Sequence, residues 1–425
     1  MSSLTRAPAA PAKRLIGTLY VYTFLDEFIL LYPVYTLLFT ETGLSVAETT
    51  SLFVIWSLTG MVLEVPSGAW ADTVSRRLLL CLGPLLAAVG FASWVLFPSY
   101  AVFAAGFVLW GAREALNSGA MEALVYEELD RAGQSGRYAA VMGRATSIGL
   151  AADAVAIALA IPVFATGGYL AVGAASVLAC LLCAATGLTF REHRQNSEHR
   201  QNGEHRQNSE TPEDQGRRRG GDRDSRAFDA GHEADGYWAV LRAGLAEARR
   251  SPRVSRALIL VATVTAIWGA LEEYVPFLGA EFGVAATGIP ALVLLVWIGA
   301  TAGGLLAGVA RRLPARGYAL TLVVAALSLA GGALSGHPAG FALIAVAFGL
   351  FQMAGVVADA RLQDDITGPS RATVTSVAGF GANLVTLVVF AAYATLSSLV
   401  GHGPAVALFA VPYVLVALWI GGRKP

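Results

Sequence analysis

The stretch Leu25-Asp26-Glu27-Phe28 places two neighbouring carboxyl groups in the middle of a long apolar segment. A second doublet of this kind, Leu271-Glu272-Glu273-Tyr274, lies in an equally apolar setting in the other half of the chain. Acidic side chains are costly at membrane depth, and they occur there mainly where they line a polar cavity or carry protons. The two doublets therefore predict a membrane protein whose halves share one central polar site.

The composition supports a membrane protein and disfavours several other classes. Of 425 residues, 55% are hydrophobic and 14% are charged, whereas charged residues make up about a quarter of a soluble domain. A formal net charge of zero gives no reason to expect a nucleic-acid partner. The six histidines lie in polar or loop stretches, and no nucleophile elbow or phosphate-binding loop is present. We therefore expect no enzyme activity, no metal site and no cofactor.

The apolar segments predict twelve membrane spans of roughly 20 residues each. The first is expected to run as one helix to about residue 39. The other eleven are predicted near 46–68, 78–97, 101–123, 141–164, 168–189, 257–279, 288–310, 317–335, 340–360, 374–398 and 404–421. The expected fold is an all-α membrane protein of 12 transmembrane helices in two six-helix bundles. Its predicted divisions are an N-terminal bundle (1–189), a cytoplasmic linker (190–256) and a C-terminal bundle (257–425).

Arginine and lysine positions predict the orientation of the chain. With both termini in the cytoplasm, every basic loop is cytoplasmic, and none of the six opposite loops contains Lys or Arg. Because cytoplasmic loops of membrane proteins carry an excess of these residues, we expect a multi-pass protein of the plasma (inner) membrane with both termini cytoplasmic.

The linker begins with three near-identical hexads related to Glu-His-Arg-Gln-Asn-Ser, over residues 192–209. These hexads contain no apolar residue to bury, so the sequence predicts disorder. Their histidines could hold a metal ion, but repeat expansion in a tolerant loop explains them better. Residues 236–250 mix aromatic, aliphatic and arginine side chains, which favours a helix lying on the inner leaflet.

Four sequence correspondences relate the two halves, each displaced by six spans. The acidic doublets are one of them, and the pairs Glu127-Glu128 with Asp364-Asp365 and Arg144-Ala-Thr146 with Arg371-Ala-Thr373 are two more. The fourth relates the loop after the second span to the double arginine after the eighth. Four correspondences in the same order indicate a duplication of parallel six-span repeats.

The loop between spans two and three reads Gly68-x-x-Ala-Asp72-x-x-x-Arg76-Arg77. It resembles the signature loop of the major facilitator superfamily (MFS). The runs 64–68 and 31–35 resemble the drug/proton antiporter-like 12-helix branch, although the fifth span lacks that branch's Gly-Pro-rich motif. The resemblance implies a cytoplasmic gate in which Asp72 faces the start of span eleven, with the arginines holding nearby acids or lipid phosphates. The alternative is that the arginines only anchor the loop in the cytoplasm.

The resemblance also implies that spans one, four, seven and ten line a central cavity. The expected proton-coupling and substrate residues there are Asp26, Glu27, Arg113, Glu114, Glu272 and Glu273. Adjacent helical residues project about 100° apart, so only one member of each doublet is expected to face the cavity fully. Arg113 is the predicted counter-charge of Asp26 or Glu27, with Asp26 slightly favoured as the proton carrier. The alternative is a static polar network joining the two halves.

Aromatic and amide side chains are expected to complete the wall of this cavity: Tyr32, Tyr35, Trp110, Asn117, Trp268 and Gln352. Ring faces beside excess carboxylates suit a cationic or amphipathic organic compound. The predicted function is proton-coupled efflux of such a compound by alternating access, by a monomer whose partners are a small-molecule substrate, protons and the lipid bilayer. Alternatives are a proton-coupled importer of a small metabolite and a non-transporting membrane sensor.

Overall fold

Apolar segments that leave water must satisfy their backbone groups internally, and in this chain they do so as α-helices. The structure is a computed structural model that describes residues 9–190, 252–365 and 371–421. The predicted hexad repeat and the predicted helix at 236–250 lie outside these residues. Within them, eight helical stretches are long and apolar enough to cross a membrane.

In the described part of the N-terminal half, residues 9–190, there are six α-helices. They are α1 (Ala9–Glu27), α2 (Tyr35–Glu41), α3 (Val46–Thr73), α4 (Arg76–Leu96), α5 (Tyr100–Arg131) and α6 (Tyr138–Gly187). Fifty residues of helix would extend about 75 Å, more than twice the hydrocarbon thickness, so α6 accounts for two spans. The turn between them is at Gly168, whose φ of 58° is accessible to glycine without strain.

The C-terminal half repeats this arrangement. Its helices are α7 (Pro252–Glu272), α8 (Val275–Glu281), α9 (Ile289–Ala310), α10 (Ala315–Leu334), α11 (Phe341–Asp365), α12 (Arg371–Val400), α13 (His402–Leu408) and α14 (Ala410–Gly421). The pairs α1/α2, α7/α8 and α13/α14 each form one crossing, and α6 forms two. The chain therefore forms twelve transmembrane helices in two six-helix bundles. Most helix ends lie within a few residues of the predicted spans.

The first and seventh spans are broken, contrary to the prediction of a single continuous helix to about residue 39. Helix α1 ends at Glu27, and the chain continues as turns until α2 begins at Tyr35. Helix α7 ends at Glu272, and α8 begins at Val275 after a two-residue turn. The first break follows its acidic doublet directly, and the second begins within its doublet, after Glu272, so both doublets lie at helix ends. Irregular backbone at membrane depth is tolerated where it is buried in protein or lines a cavity.

The two bundles contact each other through α3 with α12 and through α6 with α9. We call the face with loops 42–45, 97–99 and 282–288 the distal face, and the opposite one the proximal face. On the distal side, Tyr274 bridges the bundles: its hydroxyl lies 3.0 Å from Thr50 Oγ1, and its ring packs on Phe53. The halves are therefore closed against each other near the distal face.

Candidate functional site

A cavity of about 430 Å³ lies between the bundles, beside the two helix breaks. Six carboxyl groups line it, accompanied by one guanidinium among the described lining residues: Asp26, Glu27, Glu114, Asp153, Glu272, Glu273 and Arg113. The structure thus brings all six predicted proton-coupling residues to one place. It adds Asp153, from the first half of α6.

Arg113 on α5 forms an ion pair with Asp26. Its Nη2 lies 2.8 Å from Asp26 Oδ1, and its Nε donates to the same oxygen at 3.2 Å. Asn117 Nδ2 donates to that oxygen at 3.4 Å, and Cys183 Sγ lies 3.7 Å from it. Arg113 is only 5% exposed, so this is a buried pair with several additional hydrogen bonds. Such bonds are what make a buried ion pair tolerable.

Both members of each doublet line the cavity, which corrects the expectation that only one of each pair would face it. That expectation assumed continuous helices with 100° between neighbours. Glu27 and Glu272 are the last residues of α1 and α7, and Glu273 lies in the turn beyond α7. Outside a regular helix, the side-chain direction is no longer fixed by the helical period, so the second carboxyl can turn to the cavity as well.

Glu273 also connects the bundles. The Tyr35 hydroxyl, at the start of α2, donates a hydrogen bond to Glu273 Oε2. Tyr35 is 4% exposed and packs within an aromatic cluster that includes Phe53 and Trp94. A carboxyl group of the cavity therefore takes part directly in the contact that joins the two bundles on the distal side.

Stacked aromatic rings form one wall of the cavity. Tyr32 stacks on Trp110 with centroids 5.0 Å apart and an interplanar angle of 6°, and Trp56 stacks on Trp110 at 5.2 Å. The Trp56 indole donates to Glu114 Oε2 at 3.1 Å. Within the described residues, the buried Trp110 Nε1 and Asn117 Oδ1 have no hydrogen-bond partner. Buried polar atoms are normally paired, so these two atoms are exceptions in the wall of the cavity.

The predicted wall residues fall into two groups. Tyr32, Tyr35, Trp110 and Asn117 line the acidic cavity. Trp268 and Gln352 instead line an adjacent cavity between α6 and α9, so the sequence expectation merged two spaces. The prediction also omitted Trp56, Asp153 and Trp297. Asp153 was detectable as an acid inside a span, but the tryptophans carried no signal that distinguished them from packing residues.

A further cavity of about 490 Å³ shares Trp56, Glu114 and Glu273 with the acidic cavity. It continues between α3, α7 and α12 past Gly60, and it reaches Glu64 in the proximal half of α3. The polar space therefore extends toward the proximal face, the opposite direction from the distal closure.

The predicted gate motif lies at the proximal end of α3. Gly68 and Asp72 are helical, and the side chain of Asp72 lies outside the described set, as do residues 366–370 that it was expected to face. Helix α4 starts at Arg76 after Ser75, whose hydroxyl accepts from Leu78 N. Arg76 Nη1 pairs with Glu127 Oε1 at 2.6 Å, and Arg77 is exposed. The first arginine thus ties α4 to the end of α5.

The sequence model of the Major Facilitator Superfamily matches residues 16–390. No curated protein matches the chain. Among solved structures, the nucleoside transporter NupG is similar, with a TM-score of 0.69 at 11% identity, covering 97% of this chain and 98% of that one. A D-xylose-proton symporter (TM-score 0.64, 14% identity) covers 97% and 98%. A bacterial homologue of the human lysosomal transporter Spinster (0.67, 15%) covers 99% and 97%.

Proposed function

Because the chain belongs to the major facilitator superfamily and is a multi-pass membrane transporter of small molecules, we propose that it exports a small cationic or amphipathic organic compound in exchange for protons. It acts as a monomer in the plasma membrane, with both termini cytoplasmic. Proton-coupled export of such a compound would assign the protein to the drug/proton antiporter-like branch of the superfamily.

The observation that carries the proposal is the charge of the central cavity. Six carboxyl groups and one guanidinium share about 430 Å³. Coulomb repulsion at low dielectric makes full ionisation of all six unfavourable. The cavity therefore binds protons, a positively charged ligand, or each in turn. Competition between the two for the same carboxyl groups couples their movements in opposite directions. The flat rings of Tyr32, Trp56 and Trp110 give an organic cation a face on which to stack.

The contacts of the cavity shift the proposed proton carrier away from Asp26. Arg113 pairs with the Asp26 carboxylate through Nη2 and donates to it through Nε, so this carboxylate already has a counter-charge. Glu27 and Glu272 have no ion pair within the described part of the chain, and they lie on opposite bundles. We therefore assign the exchangeable protons to Glu27 and Glu272, with the Asp26–Arg113 pair as a fixed element of the N-terminal bundle.

Alternating access follows from where the bundles touch. The contacts Tyr35–Glu273 and Thr50–Tyr274 join the halves on the distal side. For the cavity to open there, these must break while the proximal ends of the bundles approach. The signature loop Gly68–Arg77 lies at that proximal end, and in this proposal it stabilises the state that is closed to the cytoplasm.

Uptake of labelled tetraphenylphosphonium into everted membrane vesicles tests the proposal. An antiporter accumulates this cation when the vesicle interior is acidic, and nigericin, which dissipates the proton gradient, abolishes the accumulation. Equal uptake in vesicles with and without the protein, across a panel of organic cations, would reject cation export.

A proton-coupled importer is the second candidate, and one of the similar structures is a D-xylose-proton symporter. The direction of proton flow separates the two candidates. If the protein is the exporter, substrate added outside everted vesicles releases protons from the lumen. If it is the importer, protons leave the lumen together with substrate, so they are released only from vesicles that were preloaded with substrate.

A further inference from the structure

A mainly apolar cavity of about 320 Å³ lies beside the acidic cavity, between α6 and α9. Helices α7 and α11 contribute Trp268 and Phe348, which pack edge to face at 5.8 Å. Glu272 and Trp297 line both this cavity and the acidic one. The two spaces therefore meet at a carboxyl group.

The outer rim of this cavity consists of side chains that face away from the protein. Leu305 is 81% exposed and Leu150 is 43% exposed, so the rim of the cavity lies at the surface of the protein. The side toward α11 is closed, because a Cβ atom at Gly303 would collide with the backbone of Gly349. The cavity therefore reaches the protein surface between α6 and α9, and we infer that this side faces the hydrocarbon layer.

Its lining offers little to a polar ligand. Apart from Glu272, the polar lining groups are the side chains of Ser147, Thr301 and Gln352 and the indole N–H groups of Trp268 and Trp297. The Ser147 hydroxyl already donates to Gly143 O. The remaining walls are aliphatic and aromatic. A space with one carboxyl group at its inner end and apolar walls out to the lipid fits a molecule with a charged head and a hydrocarbon chain.

We propose that this cavity is a subsite for the aliphatic chain of the transported compound, whose positively charged group lies at Glu272 in the acidic cavity. The inference rests on the proposed function, and it narrows the substrate class to cationic amphiphiles with a hydrocarbon chain. Such a compound enters from the bilayer between α6 and α9. Its hydrocarbon chain stays in apolar surroundings during entry, while its positively charged group leaves the lipid headgroups and contacts the carboxylates of the acidic cavity.

Two probes that differ only in the chain test the subsite: tetramethylammonium and octyltrimethylammonium, titrated calorimetrically into the purified full-length protein. Each buried methylene strengthens binding by up to about fourfold, so we expect the octyl compound to bind at least about tenfold more tightly. Ala151→Leu narrows the cavity from α6, and it should bring the ratio of the two affinities close to one. Ala158→Leu, on the same helix and exposed but outside the cavity lining, should preserve the ratio. Thr301→Leu repeats the test from α9 if Ala151→Leu does not fold.

The outcomes separate this inference from the proposed function. Tetramethylammonium binding that Glu272→Gln removes, together with a wild-type ratio near one, would overturn the subsite alone and assign the cavity to a lipid acyl chain. A ratio that Ala151→Leu and Ala158→Leu change equally would overturn it too. If neither probe binds, the proposed cation site fails, and the subsite fails with it.

Discussion

The Arg113 guanidinium contacts Asp26 at two places, its side-chain carboxylate and its backbone carbonyl oxygen. The guanidinium pairs with the carboxylate at 2.8 Å, and Nη2 also donates to the Asp26 carbonyl oxygen at 2.9 Å. Helix α1 ends one residue later, where the last carbonyl groups of a helix lack intrahelical partners. Arg113 therefore neutralises a buried charge and caps the break in the first span with one side chain.

Removing Arg113 should be far more harmful than removing the pair. Arg113→Ala leaves the Asp26 carboxylate buried without a counter-charge, which costs about 3–5 kcal/mol for a buried pair. The double variant Arg113→Ala, Asp26→Asn removes both charges, and it should regain most of that stability. The free energy of unfolding in mixed micelles measures both variants. Equal losses in the single and double variants would show that the charge of Asp26 is unimportant to the fold.

Tyr35→Phe should loosen the distal closure. It deletes the hydrogen bond to Glu273, and bonds to charged groups contribute about 1.5–3 kcal/mol. We expect a cysteine at Thr36, which lines the acidic cavity, to react at least about tenfold faster with a membrane-impermeant maleimide added from the distal side. The three native cysteines are buried, which keeps the background reaction low.

Tyr100→Phe is the matched control for that experiment. Its hydroxyl bonds Ser51 near the same face, but within the N-terminal bundle. It should leave the labelling rate at Thr36→Cys unchanged. Similar acceleration by both tyrosine variants would mean that the Tyr35–Glu273 bond does not hold the bundles together.

Asp72→Asn should slow transport without weakening substrate binding, because the proposed gate acts on the exchange between states and lies far along α3 from the acidic cavity. The measurement compares the maximal uptake rate with the equilibrium affinity for the same cation. Asp130→Asn removes an exposed acid from the same face, at the end of α5, and should change neither. A loss of affinity in Asp72→Asn would contradict a purely gating role.

Deletion of residues 192–210 should leave the transport rate unchanged. The hexads contain no apolar side chain with which to bury surface, and the remaining 41 residues of the 192–251 stretch are ample to join the bundles. Uptake per folded molecule, set against the intact chain, measures the effect. A large loss of transport would assign the repeat a function that its composition does not indicate.

The sequence was sufficient for most of the helices and for the carboxyl groups that line the central cavity, because hydropathy and intramembrane charge are strong signals. An intramembrane carboxyl is rare enough that Asp26, Glu27, Glu272 and Glu273 marked the cavity without any structure. The sequence was not sufficient for the breaks after Glu27 and Glu272. Pro33 lies within the first break and Pro276 at the start of α8, but a proline does not by itself fix the residue at which the preceding helix ends.

Partner choice was also beyond the sequence. The sequence predicted Arg113 as the counter-charge of Asp26 or Glu27, and the structure pairs it with the carboxylate and the carbonyl oxygen of Asp26. Likewise, Trp268 and Gln352 were predicted to line the acidic cavity, but they line the adjacent apolar cavity. The face of a helix on which a residue lies does not reveal where one cavity ends and the next begins.

The most direct test of proton exchange at Glu27 and Glu272 is a measurement of proton release from vesicles. Everted vesicles carrying the protein are acidified inside and monitored with a pH-sensitive dye while tetraphenylphosphonium and other organic cations are added. We expect a cation to release lumenal protons in the wild type and in Asp130→Asn, but not in Glu27→Gln or Glu272→Gln. If both glutamine variants release protons as the wild type does, or if folded wild-type protein releases none for any cation, proton exchange at these carboxyl groups is contradicted.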